Sequence, residues 1–152
     1  MTQGAGAGQF FTATAAMNQV SIVDTRNVDL GWTVTGEMED FAASSEQDDG
    51  TGTGALDSFA GDFLGWSPVV TADTPGFDDD LDPGTPNYDQ TAVAGSAVAP
   101  ATIDGLGNGA TLATAAPGAG LGTAILDARV RLLIPVTADA GLYEGSLRFS
   151  AL

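Results

Sequence analysis

The stretch WTVTGEM, residues 32–38, alternates strictly between two kinds of side chain. Trp32, Val34 and Met38 share one parity, whereas threonine and glutamate occupy the other. Successive side chains of an extended strand point to opposite faces, so this alternation predicts a strand with one apolar and one polar face. Antiparallel sheets that pack one side on a core and expose the other to water have this pattern.

The same two-residue period recurs elsewhere in the chain. It occupies the segments 11–17, 20–22, 129–134 and 143–150. Weaker strand patterns occur at 64–70, 90–98, 110–116 and 122–127. The best helical spacing lies over 55–64, where Gly61 interrupts it, which predicts a turn or two of helix at most. We therefore predict an all-β fold: an antiparallel two-sheet sandwich, immunoglobulin-like, of about eight or nine strands.

Charge divides the chain into three parts. The net charge is −16, from 20 acidic residues against four arginines and no lysine. Residues 37–89 hold fourteen of the acids and no base, whereas 1–36 (two acids, one arginine) and 90–152 (four acids, three arginines) each carry −1. The middle third is thus a separate electrostatic unit, in which we expect long acidic loops.

The length of 152 residues suits one domain with a core. We expect a flexible N-terminal segment over 1–9 and a single β-sandwich domain over 10–152, with an acidic loop region at 42–90. Turn-forming residues crowd that region, in SSEQDDGTGTG at 44–54 and in two Pro-Gly pairs between 71 and 88.

Composition excludes several functions. The chain has no histidine and no cysteine, which removes the commonest general base, the usual nucleophile–base pairs and most zinc, haem and iron–sulfur ligation. No nucleotide-binding or hydrolase motif is present, so we expect no enzyme activity. Nucleic acid is excluded as a partner by the acidic balance, and membrane insertion by the lack of an apolar run of roughly 18 residues. A metal site would need oxygen ligands, hence Ca²⁺ or Mg²⁺.

One acidic segment has the spacing of a calcium loop. Asp78, Asp80 and Asp82 take the first, third and fifth positions, and Asp89 takes the twelfth. Pro83 stands sixth, where an EF-hand loop has glycine. These four aspartates are the candidate Ca²⁺ ligands of a looser site, and a solvated acidic loop is the alternative.

The two tryptophans are the candidate ligand-binding residues. Exposed, Trp32 and Trp66 would offer flat apolar faces to the sugar rings of a glycan. The alternative is a place in the core, which the parity shared by Trp32 and Val34 favours. Tyr143, at the start of the last strand, is expected to bond its hydroxyl to upstream backbone, as in a tyrosine corner.

Charged side chains at strand positions suggest contacts. Asp24 and Arg26 form either a charged contact site or a tie for the loop that follows. Arg129, Arg131 and Arg148 lie on outward parities, which predicts one basic strip for contact with the acidic loops of a neighbouring molecule.

Three groups of residues occur in a fixed order over about residues 10–152. They are VSIVDTR (20–26) with GWTVTG (31–36); LGWSP (64–68); and GLGTA (120–124) with LLIP (132–135) and AGLYEGSL (140–147). Together they resemble the WxL-like cell-surface domains of Gram-positive bacteria, especially actinobacterial secreted proteins. The two W-x-L positions here hold Trp32-Thr33-Val34 and Phe149-Ser150-Ala151.

The resemblance implies a β-sandwich that is exported and resides in the cell envelope, where WxL domains bind peptidoglycan non-covalently. We therefore expect a non-catalytic extracellular domain that binds cell-wall peptidoglycan or another surface glycan. The alternative is a structural or adhesive surface protein that self-assembles or binds a protein partner, stabilised by Ca²⁺. Met1-Thr2-Gln3-Gly4 lacks signal-peptide features, so an exported chain would be a mature form or a fragment.

Overall fold

Two antiparallel sheets, facing each other, contain most of the strands. The computed structural model describes residues 2–3, 10–26, 30–44, 58–75, 91–100 and 104–152. Two single 3₁₀ turns accompany the strands, at Gly61–Phe63 and Leu106–Asn108. The strands are β1 (Thr2–Gln3), β2 (Phe10–Ala16), β3 (Val20–Asp24), β4 (Trp32–Met38), β5 (Phe41–Ala43), β6 (Ser58–Phe59), β7 (Leu64–Pro75), β8 (Ala92–Ala94), β9 (Ala110–Ala115), β10 (Gly122–Pro135), β11 (Tyr143–Glu144) and β12 (Leu147–Ala151).

The first sheet is organised around β10, which is 14 residues long. Strand β7 follows one side of β10, from Gly122 opposite Pro75 to Leu132 opposite Leu64. On the other side β10 pairs with β3 through its first half and with β2 through its second half. Because β2 and β3 are both antiparallel to β10, they run in the same direction and act as one long strand interrupted at 17–19. Strand β1 extends the sheet beyond β2.

The second sheet has the order β12-β4-β9-β8. Its central strand β4 presents Trp32, Val34 and Met38 inward, as its alternation predicts. A small third sheet, β11-β5-β6, adds an aromatic cluster in which the rings of Phe41 and Phe59 stack with centroids 4.8 Å apart.

The core lies between the two large sheets. Small side chains from β10 and β9 let the sheets approach, and large ones from β4 and β7 fill the remaining space. No helix in the described ranges is long and apolar enough to cross a bilayer. The buried core residues are Trp32, Val34, Met38, Leu64, Trp66, Leu106, Leu112, Ala113, Ala115, Ala124, Leu126 and Ala128.

The predicted all-β antiparallel fold is confirmed, and the strand boundaries differ in part. The described residues hold twelve strands instead of eight or nine, because β1, β5, β6 and β11 are pairings of two or three residues. The segments expected as separate strands at 122–127 and 129–134 form the single strand β10. Residues 71–75, expected within a loop, continue β7. The acidic region 42–90 therefore contributes a long strand to the first sheet.

Within the N-terminal segment 1–9, the structure describes Thr2 and Gln3, which pair with Thr12 and Phe11 of β2. The flexibility expected of this segment stays a prediction.

The order of the strands departs from the immunoglobulin-like expectation. In that fold the first strand joins the sheet of the second, fifth and fourth strands, and the last joins that of the third and sixth. Here the first long strand, β2 with β3, pairs with β10, and the last strand, β12, pairs with β4. The comparison counts seven strands in chain order: β2 with β3 as the first, then β4, β7, β8, β9, β10 and β12. Relative to the immunoglobulin-like order, the first and the last of these have exchanged sheets, and each forms part of a sheet edge.

Candidate functional site

Trp66 lies in the core and presents no face to a ligand. Its side chain is 1% exposed. The indole packs beneath Gly36, where an added Cβ would lie 2.6 Å from Cη2, and it stacks on the ring of Phe149. The indole Nε1 is buried without a hydrogen-bond partner.

Trp32 is also part of the core, at 6% exposed, as its parity predicts. Its Nε1 donates a hydrogen bond of 3.0 Å to the carbonyl oxygen of Gly120, which satisfies the one polar atom of the side chain. Stacking on a sugar ring requires an exposed aromatic face. Neither tryptophan has one in this structure, so a ligand must be sought elsewhere on the surface.

Asp24 and Arg26 tie down the start of the β3–β4 connection. The guanidinium donates from Nε to Asp24 Oδ1 at 2.9 Å and from Nη2 to the Gly31 carbonyl oxygen at 2.8 Å. Asp24 is 7% exposed. The hydrogen bonds from the Arg26 side chain lower the pKa of Asp24, and they outweigh burial, which raises it. These contacts support the interpretation of this pair as a structural tie.

The predicted basic strip is wrong. Arg129 and Arg131 lie on the outward face of β10 in the first sheet, whereas Arg148 lies on β12 in the second. The outward faces of two packed sheets point to opposite sides of the sandwich, so the three guanidiniums are not neighbours. Arg148 instead forms an exposed ion pair with Glu39.

The outward face of the second sheet holds a polar groove of about 410 Å³. Strand pairing places Arg148 opposite Glu37 and Ser150 opposite Thr35, so four polar side chains lie side by side. They stand on rigid strands, which fixes their spacing. The groove is lined by Thr35, Glu37, Asn108, Gly109, Arg148 and Ser150.

The second 3₁₀ turn closes one end of the polar groove. Asn108 is held by a hydrogen bond of 3.4 Å from its Nδ2 to Asp62 Oδ1. Gly109 follows with φ of 76°, a left-handed conformation that glycine adopts without strain, and the chain then enters β9. The groove thus combines hydroxyl, amide, carboxylate and guanidinium groups, which supply both donors and acceptors.

A second groove, of about 380 Å³, lies on the outward face of the first sheet and is lined by fewer polar side chains. Its polar side chains are those of Thr14, Asp127 and Arg129. Asp127 already accepts a 2.7 Å hydrogen bond from the backbone N–H of Ala128. The polar groove of the second sheet is therefore the better candidate for a polar ligand.

The alternation of residues in the sequence marks the side chains of the polar groove, whereas the composition of the chain does not. The polar parity of residues 32–38 marks the outward face of β4, and that of 147–151 marks the outward face of β12. Their adjacency follows only from the pairing of the last strand with β4, which the immunoglobulin-like order did not predict.

The candidate calcium ligands Asp78, Asp80, Asp82 and Asp89 lie outside the described residues. Among the residues that are described, no three acidic side chains are grouped so as to hold a metal ion. The calcium site stays a prediction from the sequence.

No protein-family profile matches this chain, and neither curated proteins nor solved structures give a match.

Proposed function

We propose that this protein is a non-catalytic domain of the Gram-positive cell envelope that binds wall glycan through the polar groove. The polar groove is the observation that carries the proposal, because it arrays donors and acceptors for the hydroxyl and amide groups of a glycan strand. The two-sheet fold agrees with what the resemblance to WxL-like domains implies for the scaffold.

The net charge of the protein restricts the class of ligand that it can bind. With a net charge of −16, the protein repels polyanions, so an uncharged stretch of glycan suits it better than an anionic polymer. Arg148 is the one cationic group in the polar groove. A guanidinium hydrogen bond to a ligand oxygen contributes about 1.5–3 kcal/mol, the range of charge-assisted bonds.

Co-sedimentation with purified insoluble peptidoglycan tests the proposal. We expect the wild-type protein to sediment with the wall in a saturable manner. Arg148→Ala is expected to bind roughly tenfold more weakly or worse, from the loss of a charge-assisted hydrogen bond. The variant is expected to fold, because the exposed pair with Glu39 contributes only about 0–1 kcal/mol.

Arg129→Ala is the matched control. It makes the same change of charge on the outward face of the opposite sheet. Its binding is expected to equal that of the wild type. Absence of wild-type binding, or equal losses in the two variants, would refute the proposal.

A further inference from the structure

The two lateral sides of the sandwich are closed differently. On one side, the residues after β8 cross to the first sheet, where Trp66 and Val98 exchange backbone hydrogen bonds of 2.9 Å in both directions. On the other side, the edges formed by β3 and β12 border a groove of about 290 Å³. Within the described part of the chain, no strand pairs with the outer edge of β12. We call this side the open seam.

The direction of the free backbone groups of β12 follows from its pairing with β4. Leu152 and Thr33 exchange both of their backbone hydrogen bonds, at 3.0 Å each. Bonded and non-bonded positions alternate along an antiparallel pair, so the even-numbered residues of β12 face β4. The N–H and C=O groups of Leu147, Phe149 and Ala151 therefore point to the open seam.

The other sheet edges carry features that discourage pairing with another chain. Strand β7 contains Pro68, and its register with β10 shifts between Ile125 and Leu126. Strands β1 and β8 are two and three residues long. At the end of strand β3 the backbone N–H and side chain of Arg26 bond to the carboxylate of Asp24, so the chain turns back on itself there. Strand β12 has neither proline nor bulge, and its one charged residue, Arg148, has its backbone groups turned to β4.

We infer that β12 pairs antiparallel with β12 of a second copy of this chain, about a two-fold axis at Phe149. In that register Leu147 of each copy faces Ala151 of the other, and Arg148 faces Ser150. No like charges oppose one another. Every free N–H and C=O group of the three outward-facing residues gains a partner.

The charge distribution favours the same surface. Two copies of a molecule with net charge −16 repel each other unless they meet through a neutral face. Of the residues 145–152, only Arg148 is charged, and Asp24 and Arg26 across the seam neutralise each other. Among the residues that the structure describes, the open seam is thus a neutral side of an acidic protein.

Apolar side chains at the seam remain partly uncovered. Phe149 faces the core and yet is 38% exposed, and within the described residues no strand covers the outer side of β12. Val23 and Leu152, which line the groove between β3 and β12, are 63% and 89% exposed. A second β12 strand laid along the edge would cover this groove and remove apolar surface from water.

The first test is sedimentation equilibrium of the whole protein over a range of concentrations. We expect a monomer–dimer equilibrium that strengthens at high ionic strength, because salt screens the repulsion between acidic copies. Ala151→Pro removes one outward N–H without touching the bonds of Ser150 and Leu152 to β4, and is expected to weaken the dimer roughly tenfold or more. Ala151→Ser keeps the N–H and is expected to dimerise as the wild type does.

The second test fixes the register through cysteine cross-linking, which is clean because the chain has no native cysteine. Directly opposed residues at such a bonded position lie about 5.5 Å apart at Cα, within disulfide range. Phe149→Cys is therefore expected to form a disulfide-linked dimer. Ala151→Cys, whose counterpart lies four residues further along the partner strand, is expected to stay unlinked.

The proposal is contradicted by a wild-type protein that stays monomeric at high concentration and high salt. It is also contradicted by a dimer that persists unchanged in Ala151→Pro, or by equal cross-linking of the two cysteine variants. Peptidoglycan binding through the polar groove is independent of these results.

Discussion

The indole of Trp66 stacks on the phenyl ring of Phe149, with ring centroids 6.4 Å apart and planes 12° apart. Trp66 belongs to the first sheet and Phe149 to the last strand of the second, so this pair connects the two layers. Trp32 and Phe149 face the core from the neighbouring strands β4 and β12, so both aromatic side chains are part of the packing.

Gly36 leaves the space that the Trp66 ring fills. A Cβ added there would lie 2.6 Å from Cη2 of a ring that is 1% exposed. We expect Gly36→Ala to lower the free energy of unfolding by about 1–3 kcal/mol, the usual cost of overpacking. Chemical denaturation measures this change. Thr33→Ala, on the outward parity of the same strand, is expected to lower the free energy of unfolding by less. Equal losses in the two variants would show that contact with the Trp66 ring is not what destabilises Gly36→Ala.

The two tryptophans differ in the hydrogen bonding of their Nε1 groups. Trp32→Phe removes the bond to the Gly120 carbonyl, whereas Trp66→Phe removes an N–H that has no partner. Both changes reduce packing by a similar volume. We expect Trp32→Phe to destabilise the protein by about 1 kcal/mol more than Trp66→Phe, the net contribution of one hydrogen bond. Urea unfolding of both variants decides the order, and the reverse order would contradict this account.

The Asp24–Arg26 tie gives the protein a specific dependence on pH. A carboxylate with a lowered pKa stabilises the folded state above its ordinary pKa of 3.8, and this stability is lost as the pH falls through the lowered value. Asp24→Asn is therefore expected to lower the melting temperature at neutral pH. The difference from the wild type should shrink below about pH 3.8.

Asp104→Asn is the control for this experiment, because it removes one charge at an exposed position. Its melting temperature is expected to follow that of the wild type at every pH. A difference between Asp24→Asn and the wild type that stays constant into acid would exclude the tie as the cause.

Calcium binding by Asp78, Asp80, Asp82 and Asp89 is expected to appear as heat in a calorimetric titration. A bound ion at a hundred times its Kd stabilises the fold by about 2.7 kcal/mol, which raises the melting temperature. Replacing Asp80 and Asp82 together by asparagine is expected to abolish both effects. A titration without heat and without a change in melting temperature would end the calcium hypothesis.

Alternation in the sequence was sufficient to predict the fold class. The patterns around residues 32–38 and 129–134 identified the central strands of both sheets, because their inward and outward faces differ so clearly in polarity. Tyr143 also behaves as predicted, since its hydroxyl donates a 3.0 Å hydrogen bond to the Asp139 carbonyl oxygen. The alternation of residues within a short segment thus predicts the features that depend on the contacts and burial of that segment.

The order of the strands was not recoverable in the same way. Whether β12 joins β4 or β10 depends on long-range pairing, and the side chains of β12 suit either neighbour. The short strands β5, β6 and β11 are held by the aromatic cluster around Phe59, whose members are distant in sequence. The polar groove could not be predicted for the same reason, because it forms where Arg148 and Glu37 lie opposite each other on β12 and β4.

Glycan binding through the polar groove is tested most directly by an NMR titration of the protein with soluble peptidoglycan fragments, with the backbone amides assigned. We expect saturable shifts that cluster on the outward face of the second sheet, at Thr35, Glu37, Asn108, Arg148 and Ser150. Amides around Arg129 and Arg131 on the opposite face should stay unchanged. Shifts confined to the first sheet, or no shifts at saturating fragment, would contradict glycan binding through the polar groove.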